Sequence, residues 1–173
     1  MDAKATAGRV TLDPMDVRIL ATLQEDGALS IASVAERVGL SNNACWRRIR
    51  RLQDQGVIKR RVALLDAGAL GIGVTVFVNV RAGDHGAEWF RTFSEAVSAI
   101  PEVVEFYRMS GDADYLLKVR TPSIADYDAV YRRLVNAVGL TDVSSTFAME
   151  EIKNTTALPL PKTTVPDRSH KSD

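Results

Sequence analysis

The chain has one cysteine, two histidines and no net charge, and each shortage excludes something. Cys45 alone cannot form an internal disulfide, which suits a reducing cytoplasm. The histidines are His85 and His170, and His170 lies in a polar tail. A zinc site or a Ser-His-Asp triad is therefore short of parts, so no metal ligands, no cofactor and no catalytic residues are expected. No apolar run approaches the roughly 18–20 residues that cross a bilayer, so no membrane partner is expected. The opening MDAKATAGRVTLD lacks the apolar stretch of a secretory signal. What is present is ordinary for a globular chain: 173 residues, 46% hydrophobic and 25% charged. That length and composition allow one or two compact domains.

The neutral total conceals a division. Residues 1–65 hold eleven Lys/Arg against seven Asp/Glu, and residues 66–173 hold eleven against fifteen. The excess is densest in RRIRRLQDQGVIKRR (47–61), with seven cations and the single acid Asp54. Such asymmetry points to two domains with different partners.

The basic half reads as three helices. LDPMDVRILATLQEDG starts one: Asp13 is a good N-cap, Pro14 suits the first helical position and Asp16 suits the helix dipole. Ile19, Leu20 and Leu23 form its apolar stripe, and Gly27 ends it. In LSIASVAERVGLS, Ser30 caps a second helix whose Ile31, Val34, Ala35 and Val38 fall at helical spacing, with Gly39 as terminator. Ser41 caps a third helix two residues later, so the pair is a helix-turn-helix candidate.

In the third helix Cys45, Ile49 and Leu52 share one narrow face at about 100° per residue. Asn43, Trp46, Arg47, Arg50 and Arg51 project away from it, while Asn42 and Arg48 flank the apolar stripe. A merely solvated helix mixes charge signs, whereas this polar face is nearly all cationic. The β-rich VIKRRVALLD follows and reads as a wing carrying Lys59, Arg60 and Arg61. A recognition helix sets its N-terminal residues near base edges, here Ser41, Asn42, Asn43, Trp46 and Arg47. Arg50, Arg51 and the wing cations suit the backbone contacts that position without reading sequence, although Arg50 also lies on the base-reading face. Double-stranded DNA is the expected partner. Trp46 has two readings, an apolar contact to DNA or packing along the helix edge, and the sequence does not choose between them.

The acidic half alternates differently. IGVTVFVNV is a strand with Val74, Val76, Val78 and Val80 on one face. HGAEWFRTFSEAVSAIP is a helix with Trp89, Phe93, Val97 and Ile100 inward, stopped by Pro101. EVVEFYRMSGDADYLLKVRT gives two strands joined at SGDAD. SIADYDAVYRRLVNAVG is a helix capped by Ser123, with Tyr127, Tyr131, Leu134 and Val138 inward, and TDVSSTFAMEEI is the last strand. The order βαββαβ is the ferredoxin-like split motif. The fold class is thus α+β: a winged helix-turn-helix, 12–65, a connector, 66–71, and a ferredoxin-like domain, 72–158. The polar, Pro-containing remainder, 159–173, is expected to be disordered.

GDADY carries the candidate chemistry of this half. Gly111 permits positive φ, Asp112 and Asp114 could accept from an ammonium group, and turn N–H groups can hold a carboxylate. An α-amino acid would fit. A plain hairpin turn uses the same residue types, so both readings stand on the residues alone.

LDPMDVRIL, VAERVGLS, CWRRIRRLQDQGVI, VALLD, SGDADYLLKV and FAMEEIK follow one another in an order and spacing that resemble the Lrp/AsnC (feast/famine) family of transcription regulators. The resemblance covers about residues 12 to 158. It implies a sensing domain that pairs through its sheets into dimers, which gather into tetramers or octamers. It also implies an amino-acid effector pocket where Met109, Ser110, Gly111, Asp112, Asp114 and Tyr115 meet a neighbouring subunit, with Thr146, Phe147, Ala148 and Met149 affecting the response. Trp46 departs from the family's usual helix. Within the family the likeness is best to a subgroup associated with sulfur amino acids, cysteine in particular, on NACWRRI, GAEWF and SSTFAMEEIKNTTALPL. A regulator responding to leucine or another catabolised amino acid is the alternative, as is a sequence-tolerant protein that shapes DNA. The expected setting is the cytoplasm, in association with the nucleoid.

Overall fold

A computed structural model of the chain describes residues 10–83, 86–137 and 140–161. It divides into two compact units: the chain up to Ala63 together with the stretch from Asn154, and the chain from Leu64 to Lys153.

The first unit packs α1 (Pro14–Glu25), α2 (Ile31–Val38) and α3 (Asn42–Asp54) around Ile19, Leu20, Val34, Val38, Ile49 and Leu52. Local chemistry sets each boundary. Asp13 and Asp16 form a reciprocal capping box, with Pro14 at the first helical position. Ser30 accepts from the Ser33 N–H, and Ser41 accepts from the Ala44 N–H. Gly39 ends α2 at φ 73°, a left-handed conformation that a side chain resists. The two helices are then separated by Gly39, Leu40 and Ser41 alone, the tight joint that a helix-turn-helix needs.

Two expectations need correction in this unit. Residues 57–65 carry no strand among the described residues, so the basic segment after α3 is irregular rather than the β-rich stretch its composition suggests. Its start serves the end of α3 instead: the N–H groups of Val57 and Ile58 both donate to the Leu52 carbonyl, and both side chains pack on the core. The segment from Asn154, expected to finish the ferredoxin-like domain as far as 158, belongs instead to the helical unit. The Leu158 N–H donates to Gln24 Oε1 at 2.7 Å, Gln24 Nε2 donates back to the Leu158 carbonyl at 3.2 Å, and Leu160 packs against the helical core. Of the stretch expected to be disordered, Pro159–Pro161 thus belong to a folded unit, and 162–173 lie outside the described residues.

The second unit has the order β1 (Val74–Ala82), α4 (Ala87–Ser98), β2 (Val103–Arg108), β3 (Tyr115–Thr121), α5 (Ile124–Ala137) and β4 (Leu140–Phe147). The sheet order is β2-β3-β1-β4 and every pairing is antiparallel. This is the expected ferredoxin-like motif. Alternation explains the layering: Val76, Val78 and Val80 of β1 and Leu117 and Val119 of β3 turn one face inward. Phe93 and Val97 of α4, and Tyr127, Val130 and Leu134 of α5, close the core over that face. Ser123 caps α5 through the Asp126 N–H. Val138, also expected to face inward, lies outside the described residues, as does His85.

The opposite face of the sheet has no cover among the described residues of the second unit. Phe77 of β1 and Tyr107 of β2 are exposed there beside Leu116 and Lys118 of β3. Glu105 accepts from Tyr107 Oη at 2.7 Å and from Lys118 Nζ at 3.1 Å.

Candidate nucleic-acid interface and effector segment

The third helix shows its two faces clearly. Cys45, Ile49 and Leu52 are buried at 0–3% exposure. Ser41, Asn42, Asn43, Trp46, Arg47, Arg50 and Arg51 are all exposed, Trp46 at 54%. At about 100° per residue, Asn43, Trp46, Arg47 and Arg50 span an arc of roughly 100° opposite the buried stripe. Burial pushes the Cys45 thiol up, which disfavours its nucleophilic thiolate. Trp46 makes no ring contact with another aromatic among those described, and its exposure sets it on the outer face rather than in the core.

The arginines of this helix are not equivalent. Arg48 Nη1 donates to Asp13 Oδ2 at 2.5 Å and to Asp16 Oδ1 at 2.8 Å. Arg51 Nη2 donates to Asp16 Oδ2. The sequence assigned Asp16 only to the helix dipole, yet its side chain is buried and ion-paired. Desolvation pulls the Asp13 carboxyl upward, but Arg48 and the Asp16 and Met15 N–H groups outweigh it and hold its pKa below the ordinary value. The Asp13 bond in turn raises Arg48 further. Arg51, expected on phosphate, therefore has its guanidinium committed to α1, although its side chain is still 45% exposed. Arg50 pairs with Asp54 at 3.3 Å in solvent, where an i,i+4 pair contributes little. Lys59, Arg60 and Arg61 are exposed, and Arg61 Nη1 donates to the Gly27 carbonyl at 3.3 Å.

In the second unit, Met109–Asp114 form the loop between β2 and β3. The Met109 N–H donates to the Asp114 carbonyl at 2.8 Å and the Asp114 N–H donates to the Val80 carbonyl at 3.0 Å. Gly111 has φ 128°, and a Cβ there would meet nothing within 4 Å, so the backbone at this turn is open to approach. The two aspartates differ. Asp114 Oδ2 accepts from the Ala82 N–H at 2.9 Å, where β1 bulges between Arg81 and Ala82. Asp112 uses its carbonyl to accept from Arg81 Nε at 2.7 Å, leaving its carboxylate on an exposed residue. Met109 and Ser110 are exposed.

Tyr115 does not join them at the surface. It is 4% exposed and lies in an aromatic cluster with Trp89, Phe90, Phe93 and Phe106, with centroid separations of 5.3–6.1 Å. The strand alternation that buries Leu117 and Val119 buries Tyr115 as well, so its ring is part of the core rather than of an open pocket. Nor do the two candidate effector segments converge within one subunit. Tyr115 pairs with Val80 while Phe147 pairs with Val76, four residues further along β1 and roughly 13 Å away. Phe147 makes an edge contact with Tyr127 at 5.3 Å, and Thr146 and Ala148 are exposed. The Ala148 N–H donates to the Thr75 carbonyl, and Met149 stands 97% exposed. Among the described residues no cluster of His, Cys, Asp or Glu could hold a metal, and no helix is long and apolar enough to cross a membrane.

A three-helix unit presenting a polar, cationic third helix, carried on the same chain as a βαββαβ unit, defines a two-domain DNA-binding regulator. Residues 12–59 match the family described as winged helix-turn-helix DNA-binding, and residues 75–158 match the Lrp/AsnC ligand binding domain. The chain belongs to the Lrp/AsnC family and is a transcription regulator, not an enzyme. It is similar to the glutamate uptake regulatory protein of Zymomonas mobilis, with 53% identity over 88% of this chain and 93% of the relative. The fold is that of an AsnC family transcriptional regulator from Agrobacterium tumefaciens, at 56% identity, TM-score 0.83, and coverage of 86% of this chain and 97% of that one. It is also that of a Neisseria meningitidis transcriptional regulator solved as a complex with L-Met, at 34% identity, TM-score 0.82, and coverage of 86% and 97%.

Proposed function

We propose that this regulator reads DNA with the outer face of α3 and adjusts that binding to an amino acid taken up by its βαββαβ unit. The observation that carries the first half is the arc opposite the buried stripe, where Asn43, Trp46, Arg47 and Arg50 stand together. Asn can be bidentate to adenine and Arg to guanine in the major groove. Ser41 and Asn42, exposed at the helix start, lie near base edges with that arc, while the exposed Lys59, Arg60 and Arg61 suit phosphate contacts. Replacing Arg47 or Arg50 by Ala costs about 1–3 kcal/mol of duplex binding if the residue reads a base. A titration in which both variants bind like the parent refutes this choice of face.

The effector site is assigned to the Met109–Asp114 loop, with the Asp112 carboxylate toward the ammonium group and the open Gly111 backbone toward the carboxylate. Thr146–Met149 completes it from another subunit. In support, these segments stand at opposite ends of β1 in one chain, so a shared pocket needs a second copy. The uncovered sheet face around Phe77, Tyr107 and Leu116 suits sheet-to-sheet dimers, and larger assemblies of dimers would follow. The effector proposed is a sulfur amino acid, cysteine first. Its support is the subgroup likeness and the L-Met bound to the Neisseria relative. A second reading, glutamate, is favoured by the name of the Zymomonas relative. The protein would work in the cytoplasm, on the nucleoid. A thermal-shift screen of the twenty amino acids tests the site, since ligand binding to the native state raises apparent stability. A rise with cysteine or methionine supports the sulfur reading, and silence for all twenty refutes the effector site.

A further inference from the structure

The acid end of α1 holds the most unusual electrostatics in the DNA-binding unit. Asp16 is 0% exposed, yet it is a carboxylate among apolar residues of a small helical core. A buried charge persists only when it is paired and hydrogen-bonded. Here Asp16 Oδ1 takes Arg48, Asp16 Oδ2 takes Arg51 and the Asp13 N–H, and Asp13 Oδ2 takes Arg48 again. One carboxylate thus joins the first turn of α1 to two guanidinium groups a turn apart on α3.

We propose that Asp16 is a positioning residue for DNA binding, which sets the rotation of α3 about its axis and withdraws Arg48 and Arg51 from the cations that meet phosphate. At about 100° per residue, Arg48 flanks the buried stripe and Arg51 lies about 60° beyond it on the same side, and pinning them to α1 turns the Asn43–Trp46–Arg47–Arg50 arc outward. The pins also change the charge that DNA meets. Four arginines crowd residues 47–51, but two of them are matched by Asp13 and Asp16 inside the unit. The helix therefore offers two cations, not four, to the duplex. This rests on the α3 face assigned above and on no property of the effector site.

The salt dependence of binding reads this count, because each phosphate neutralised contributes about 0.9 to the slope of log K against log salt. The probe is a mixed-sequence duplex of about 30 base pairs, so no operator is needed. Arg47→Ala lowers the slope by about 0.9. Arg48→Gln and Arg51→Gln leave the slope unchanged. Asp16→Asn steepens the slope, because it frees Arg51, and Asp16→Glu restores the parent slope. A purely structural Asp16 would lower affinity without steepening the slope. If Asp16→Asn does not fold, the two Gln variants decide alone. A fall of about 0.9 in either Gln variant overturns the proposal. A flat response in Arg47→Ala overturns it too, by removing the face it rests on.

Discussion

Asp112 and Asp114 are two residues apart, and the structure assigns them different work that a single experiment separates. Asp114 Oδ2 is the acceptor for the half-buried Ala82 N–H at the β1 bulge. In Asp114→Ala that donor is left without its carboxylate, and water reaches it only in part. An unsatisfied, partly buried donor costs about 1–3 kcal/mol, and partial exposure argues for about 1. In a domain of this size that lowers the melting temperature by about 4–8 °C. The Arg81 bond to Asp112, by contrast, ends on a backbone carbonyl and survives substitution. An exposed Asp112→Ala stays within about 0.5 kcal/mol of the parent and melts where the parent does. Thermal unfolding without ligand checks both. A parent-like midpoint for Asp114→Ala, or a lowered one for Asp112→Ala, refutes the division. If it holds, loss of amino-acid response in Asp112→Ala reports on the site itself, while loss in Asp114→Ala reports on the loop's support.

A chain ended at Lys153 loses the Gln24–Leu158 pair and the Leu160 contact, so amide exchange in α1 accelerates by the equivalent of about 1–2 kcal/mol. Gln24→Ala reproduces part of this. Acid weakens the helical unit through Asp13, whose folded pKa lies below its ordinary 3.8. A depressed carboxyl stabilises above its unfolded value and loses that contribution as pH falls through the folded one, so the loss develops below about pH 4. Denaturant midpoints from pH 6 to pH 2 should fall, and Asp13→Asn should shallow the decline.

Much of the fold is written in short-range pattern. Asp13–Pro14, Ser30, Gly39 and Ser41 mark helix ends by local bonding, and the alternating valines of β1 mark a half-buried strand. The buried stripe of α3 follows from three residues at helical spacing. What was not legible depends on groups far apart in sequence. Asp16 meets Arg48 and Arg51 at separations of 32 and 35 residues, and Gln24 meets Leu158 at 134. Before those partners are known, Asp16 is only an acid in a first turn and Leu158 only the last residue of the sensing domain. Tyr115 misled for a different reason. It adjoins a surface turn in sequence, but the strand's alternation sends its ring into the core. The strand character expected of the basic segment was not legible from composition, since β-prone residues need a partner strand and none of the described residues pairs with it.

The most direct measurement is selection of bound duplexes from a random-sequence pool, with the parent chain and with Arg47→Ala. Sequence-specific readout by α3 predicts enrichment of a defined site, with enrichment lost or altered in the variant at the base Arg47 contacts. No enrichment, with unrelated DNA competing as well as the selected pool, would contradict it and leave a protein that binds DNA by backbone and shape alone.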